Sequence, residues 1–159
     1  MKHWLLKSEP AAFSIDDLAS RPRGTAPWDG IRNYQARNYM RDGMRKGDLA
    51  FFYHSSCAEP GIVGTMKIVG KAYPDATQFD PESEYFDPRS RPESPAWLAV
   101  DVQFQRRYPR PLSLDVLRRH PTLEGMLILR RGNRLSVTPV TGAEAEVIIS
   151  IAAGLAGRA

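Results

Sequence analysis

Three histidines and one cysteine are the side chains of this sequence best suited to metal binding or nucleophilic catalysis. His3, His54 and His120 do not stand at a metal-ligand spacing, and the sequence has no HExxH or CxxC motif. A lone thiol such as Cys57 becomes a nucleophile only when a specific base lowers its pKa, and no such base is evident. The sequence therefore predicts no metal, no cofactor and no familiar catalytic centre.

A tryptophan in a predicted turn, just before a predicted helix, indicates binding chemistry instead. Trp28 and Asp29 belong to this turn, and Arg32 and Asn33 follow at the expected start of the helix. Stacking of a base on an aromatic ring contributes about 1–3 kcal/mol. The free N–H groups of a helix start bind carbonyl or phosphate oxygens, and the Asn33 amide is able to read a base edge. A core tryptophan and an ordinary capping asparagine explain the same residues without a ligand.

Polar side chains also end two predicted strands. Lys7 and Ser8 end the opening strand, and Tyr53, His54 and Ser55 end a nearly continuous apolar run that is typical of a buried strand. Polar groups at the ends of core strands supply a pocket with convergent hydrogen-bonding groups when they face one opening. A core tyrosine and a hydrogen-bonded strand-end histidine are equally compatible with this pattern.

The charge of the chain favours a polyanionic partner. The formal net charge is +4, from 22 Lys and Arg against 18 Asp and Glu. Arginine binds phosphate through two hydrogen bonds and stacks on bases. Candidates for phosphate contact are Arg37 and a predicted basic turn that carries Arg130, Arg131 and Arg134. A solvated hairpin loop would explain the same turn without a ligand.

Length and composition predict one soluble domain over residues 1–159, with 42% hydrophobic and 25% charged residues. The single cysteine suits a reducing compartment. The N-terminus lacks the apolar segment of a signal peptide, and no apolar run approaches the ~18 residues of a membrane helix. We therefore expect a cytoplasmic protein that does not contact membranes.

Strand and helix signals alternate irregularly, which predicts an α+β fold. Five or six mostly antiparallel strands with a few helices are expected to form a curled sheet or small barrel. The predicted strands are 3–8, 48–54, 61–73, 96–108, 126–129 and 135–140. Helices are predicted near 14–18, 33–42 and 112–120, with a last one opened by a capping box at 141–144. The proline-rich stretch 74–95 is predicted to be a long surface excursion.

Several motifs make the chain resemble the EVE-domain family over essentially its whole length. They are WLLKSEP (4–10), WDGIRNYQARN (28–38), GDLAFFYHS (47–55), EPGIVG (59–64), YFDP (85–88) and RLSVTP (134–139). The resemblance implies a PUA-like fold, a curled mixed sheet flanked by helices and related to YTH and ASCH domains. It also implies that Trp28 is the stacking wall of a base pocket. Lys7 and Ser8 would lie on one side, Asn33 at the helix start, 53–55 opposite, and Arg134 at the rim.

The resemblance implies a non-catalytic reader of a modified nucleobase in DNA or RNA that acts through a separate effector protein. Two alternatives remain open at this point. One is an ASCH-like enzyme acting on nucleosides or nucleotides, for which Lys7, His54 and Asp29 are the titratable candidates. The other is a protein–protein adaptor that uses the excursion.

Overall fold

The computed structural model describes residues 1–156, so the predicted domain end at residue 159 lies outside the described residues. The strands are β1 (His3–Ser8), β2 (Thr25–Trp28), β3 (Leu49–His54), β4 (Gly61–Ile68), β5 (Tyr73–Pro74), β6 (Leu98–Leu112) and β7 (Val137–Val140). The helices are α1 (Ile15–Ser20), α2 (Tyr34–Asn38), α3 (Leu114–Arg118) and α4 (Gly142–Ala156). Short 3-10 turns and one π-helical turn, Tyr39–Gly43, join them.

The seven strands form one mixed sheet, in the order β2-β6-β4-β3-β1-β7, with β5 paired to β6. β1 runs parallel to β3, and the other pairings are antiparallel. Bulges interrupt the ladders of β4 with both of its neighbours, and such irregularities bend and twist strands. The predicted α+β fold with a curled mixed sheet flanked by helices is confirmed.

Both faces of the central strands are buried, which explains why the β3 sequence is almost wholly apolar. Side chains alternate between the faces, so Leu6 and Phe52 pack in one core while Leu5 and Phe51 pack in the other. α1 and α2 lie on the side of the first core, and α3 and α4 cover the second.

Three predicted helix starts are found at their capping residues. The Ser14 side chain accepts the N–H of Asp17, and the Ser113 side chain accepts the N–H of Val116. In the capping box of α4, Thr141 and Glu144 exchange hydrogen bonds of 2.8 and 3.1 Å. Each bond satisfies an N–H group that the first turn of a helix leaves without a partner.

Some predicted strand boundaries are wrong. The predicted strand 126–129 is instead a 3-10 turn, Leu127–Leu129, and β7 pairs with β1 rather than with that segment. Trp28 ends strand β2 rather than lying in a turn. β4 stops at Ile68, and β6 runs beyond its predicted end to Leu112. Local apolar runs cannot specify which distant segment completes a ladder.

Within residues 1–156, no helix is both long and apolar enough to cross a membrane. The same part of the chain contains no group of three or more His, Cys, Asp or Glu side chains arranged to hold a metal ion.

Candidate functional site

A pocket of about 710 Å³ opens beside Trp28. This volume is in the range of pockets that bury small ligands, roughly 300–1,000 Å³. Its lining comes from the end of β1, the following loop, the end of β2, the excursion and the segment before β7. The lining residues are Lys7, Ser8, Glu9, Ala12, Phe13, Arg21, Ala26, Pro27, Trp28, Asp29, Gly30, Ile31, Ser55, Glu84, Tyr85 and Ser136.

Trp28 is at once a core residue and a wall of this pocket. Only 5% of it is exposed. Phe13 and Phe52 meet the indole in edge-to-face geometry, with centroid distances of 6.2 and 5.1 Å. Such aromatic pairs contribute beyond their buried area, so the ring is held in one orientation before any ligand arrives.

The structure brings the predicted residues Lys7, Ser8 and Ser55 together. Parallel strands β1 and β3 end at the same edge, and the Ser55 N–H donates to the Ser8 carbonyl at 3.0 Å. The Ser8 hydroxyl donates to the Phe13 carbonyl at 2.7 Å, which fixes the loop that forms part of the lining. Lys7 makes no salt bridge within residues 1–156, and partial burial lowers the pKa of its ammonium group.

Tyr53 and His54 do not belong to the pocket, which corrects the expectation for both. Tyr53 points to the second core, where it is 3% exposed. His54 lines a separate groove, and its Nε2 atom accepts the backbone N–H of Ile15 at 3.1 Å. The alternation of side chains along β3 sends neighbours to opposite faces, so three consecutive residues cannot share one wall.

The environment of His54 leads us to expect that the stability of the protein depends on pH. Burial lowers the pKa of His54, and the nearby Arg107 lowers it further, although Asp16 and Asp17 act in the opposite direction. The unfolded chain binds this proton at about pH 6.5, whereas the folded protein binds it only at lower pH. We therefore expect the free energy of unfolding to decrease as pH falls through the window below about 6.5.

Urea denaturation between pH 7.5 and about 5 measures this effect, above the range where carboxylates titrate. The His54→Gln variant should show a shallower pH dependence than the wild type, and His120→Gln serves as the matched control. Equal slopes for His54→Gln and the wild type would contradict the assignment.

Asp29 and Gly30 form the part of the wall next to the excursion. Burial raises the pKa of Asp29, and the neighbouring Asp75 carboxylate raises it further. Gly30 has a φ of +77°, and its N–H donates to Asp75 Oδ2 at 2.9 Å. A Cβ atom at Gly30 would lie 2.8 Å from the Tyr85 ring, so only glycine permits this close approach.

Arg32 and Asn33 also lie outside the pocket lining. Asn33 is exposed, and its side chain caps α2 by accepting the Ala36 N–H at 3.0 Å. Arg32 binds the excursion through Asp75 and the Tyr85 carbonyl. The expectation that both residues line the base pocket is corrected: Arg32 is bound to the excursion, and the Asn33 side chain oxygen is used to cap α2.

The basic candidates differ in their surroundings. Arg130, Arg131 and Arg134 are exposed on the loop that leads to Ser136 in the pocket wall. Arg37 does not line the pocket. Its Nη1 atom donates to the Ala96 carbonyl at 2.8 Å, and its guanidinium lies over the Tyr34 ring.

Sequence reasoning missed several lining residues, among them Phe13, Arg21, Tyr85 and Ser136. The guanidinium of Arg21 lies 5.5 Å from the centre of the Phe13 ring. Tyr85 comes from the proline-rich stretch, whose composition indicated only a surface excursion. No local pattern signals that a distant loop folds back onto a pocket.

Comparisons with known proteins agree with this architecture. A family model described as the EVE domain matches residues 2–151. Thymocyte nuclear protein 1 of Gallus gallus is 46% identical in an alignment 166 positions long, gaps included, that covers 94% of this chain and 68% of the chicken protein. The human protein of that name is 45% identical, with 94% of this chain and 73% of the human protein covered.

Solved structures are similarly close. A crystal structure of human THYN1 protein in complex with 5-methylcytosine containing DNA superposes with a TM-score of 0.89 at 44% identity, covering 95% of this chain and 97% of the human one. A protein from Pseudomonas syringae has a TM-score of 0.89 at 48% identity, with coverage of 94% and 98%.

The expectation of a cytoplasmic location is contradicted by these relatives. The chicken, human and mouse proteins are named thymocyte nuclear protein 1, which points to the nucleus. The predicted family is confirmed by the sequence match over residues 2–151 and by a human relative whose structure superposes on 95% of this chain. This chain belongs to the EVE-domain family.

Proposed function

We propose that this protein is a non-catalytic DNA-binding module that holds a modified cytosine in the pocket beside Trp28. The observation that carries the proposal is a pocket of about 710 Å³ with a pre-oriented tryptophan in its wall and polar groups at its strand-end side. A human relative at 44% identity has a structure in complex with 5-methylcytosine containing DNA, which supports the choice of ligand class.

The pocket chemistry suits a base that has left the helix. Flipping a base out of the stack costs a few kcal/mol. Stacking of the flipped base on an aromatic ring stabilises the complex by about 1–3 kcal/mol. The Asp29 carboxylate is suited to accept a hydrogen bond from the amino group of cytosine, and the Lys7 ammonium is suited to donate hydrogen bonds to the acceptor atoms of the base.

Arginines around the pocket supply the contacts to the DNA backbone in this proposal. Arg21 lines the pocket, and Arg130, Arg131 and Arg134 lie on the loop that leads into its wall. Phosphate contacts of this kind set affinity and its salt dependence, whereas the pocket sets which base is retained. Binding then acts through a separate effector protein, and RNA with the same base is a weaker ligand.

Affinity measurements on matched oligonucleotides test the proposal. Fluorescence anisotropy at a fixed salt concentration compares DNA with one cytosine or one 5-methylcytosine, and the corresponding RNA. We expect tighter binding to the modified DNA. Lys7→Met should weaken that binding about ten-fold or more, because a hydrogen bond from a charged group contributes about 1.5–3 kcal/mol.

Lys67→Met is the matched control, since Lys67 is exposed on β4 and does not line the pocket. The proposal fails if the wild type binds modified and unmodified DNA equally, or if both lysine variants lose the same affinity.

One observation favours a second candidate, an enzyme that processes nucleosides or nucleotides. Lys7 and Asp29 line the same pocket, where burial lowers the pKa of Lys7 and raises the pKa of Asp29, and perturbed pKa values in one pocket are a feature of catalytic sites. His54, the third candidate for that chemistry, lies in another groove. Chromatographic detection of turnover on modified nucleosides, abolished in Lys7→Met, would replace the reader proposal by this one.

A further inference from the structure

Arg32 uses its whole donor set to hold the excursion. A guanidinium has five N–H donors. The Nε and Nη2 atoms of Arg32 donate to the Tyr85 carbonyl at 3.1 and 2.7 Å. Its Nη1 atom donates to the Ile31 carbonyl at 2.9 Å and to Asp75 Oδ2 at 3.0 Å. Its Nη2 atom also donates to the Thr77 hydroxyl oxygen at 3.1 Å. No donor is left for a ligand, although the side chain is 22% exposed.

The same contacts fix one wall of the pocket. Asp75 Oδ2 accepts both the Gly30 N–H and an Arg32 N–H, so the guanidinium and the turn after Trp28 share one carboxylate oxygen. Burial alone would raise the pKa of Asp75, but hydrogen bonds from Thr77, Gly30 and Arg32 outweigh it and hold the pKa below its usual range. The ion pair is therefore intact at neutral pH.

Tyr85 is the aromatic side chain that these contacts of Arg32 hold at the pocket. Its ring packs against Gly30 and is half-buried in the pocket lining. The Arg32 guanidinium lies 5.6 Å from the centre of this ring and 5.4 Å from that of Trp97. Arg32 thus contacts both the backbone and the ring of Tyr85, although it does not itself line the pocket.

We propose that Tyr85 is a base-binding residue whose ring forms a second aromatic wall against the bound base, and that Arg32 is the positioning residue that holds it there. The inference rests on the proposed function, because it assigns the excursion to the same base pocket. It also accounts for the placement of a fully engaged arginine between the pocket turn and a loop 53 positions away.

Four variants and the wild type test the proposal by anisotropy with 5-methylcytosine DNA. Tyr85→Ala should weaken binding about five-fold or more, in line with the loss of one base–aromatic contact. Tyr85→Phe keeps the ring and should bind within about two-fold of the wild type. Arg32→Met should reproduce most of the Tyr85→Ala loss, and the double variant should be no weaker than Tyr85→Ala alone.

Salt dependence separates positioning from direct contact. If Arg32 only positions Tyr85, the slope of log affinity against log salt stays at its wild-type value in Arg32→Met. A slope reduced by about 0.9 would mean that Arg32 neutralises a phosphate. That result, additive losses in the double variant, or wild-type affinity of Tyr85→Ala would overturn the proposal. Arg41→Met, which removes an exposed arginine paired with Asp42, is the matched control for charge.

Hydrogen exchange without DNA distinguishes this inference from the proposed function. Amides between Asp75 and Asp87 should lose protection in Arg32→Met and keep it in Arg41→Met. If the wild type shows no preference for modified DNA, the proposed function fails whatever the exchange result. If the preference holds and the exchange pattern does not change in Arg32→Met, only the positioning role fails.

Discussion

Replacing Trp28 by alanine is expected to lower the free energy of unfolding by about 3–5 kcal/mol, the range for removal of a buried large aromatic side chain. The indole is 5% exposed and packs edge-to-face on Phe13 and Phe52, so its loss opens a cavity between β2 and β3. The same change removes the proposed stacking surface. We expect the folded variant to bind 5-methylcytosine DNA at least about five-fold more weakly, since stacking contributes about 1–3 kcal/mol.

Urea denaturation measures the first effect, and anisotropy under conditions where the variant is folded measures the second. Leu117→Ala is the matched control, because Leu117 is fully buried in the second core and its truncation costs about 2–5 kcal/mol. That control should be destabilised yet retain its affinity for DNA. Wild-type affinity of folded Trp28→Ala would contradict the assignment of the pocket.

Asp75→Ala is expected to destabilise the protein by about 3–5 kcal/mol, the range for breaking a buried ion pair by removing one partner. The Asp75 side chain is fully buried and accepts hydrogen bonds from Gly30, Arg32 and Thr77, all of which would lose their acceptor. Partial exposure of Arg32 at 22% favours the lower end of that range.

Denaturation of Asp75→Ala beside Asp42→Ala checks this expectation. Asp42 pairs with Arg41 at 2.8 Å on the surface, where both side chains are at least half exposed. Such exposed pairs contribute little to stability, so the control should be nearly neutral.

The lowered pKa of Asp75 adds a pH test with a defined sign. Its stabilising contribution is fully present above the unfolded value of about 3.9 and is lost as pH falls through the folded pKa. Stability losses of equal size in Asp75→Ala and Asp42→Ala would contradict the stabilising role of the buried Asp75–Arg32 ion pair.

The sequence by itself determined the parts of this protein that depend on local chemistry. Ser14, Ser113 and the Thr141–Glu144 pair predicted helix starts because their side chains bond to backbone groups a few residues away. The apolar runs predicted the buried strands β1 and β3, and their polar ends predicted that Lys7, Ser8 and Ser55 converge. The long motifs also identified the family, which the comparisons confirmed.

Only the tertiary structure decided which of the remaining polar residues face the pocket. Tyr53 lies within β3 and points into the second core, whereas Ser55 follows the last residue of β3 and lines the pocket, so the end of the strand decides which of them meets the ligand side. The use of Arg32 as a clamp depends on a partner 53 positions away, and local patterns carry no information at that range. Tyr85 joins Trp28 in the pocket wall for the same reason: its place is set by ion pairing and by a glycine contact made only after the chain has folded.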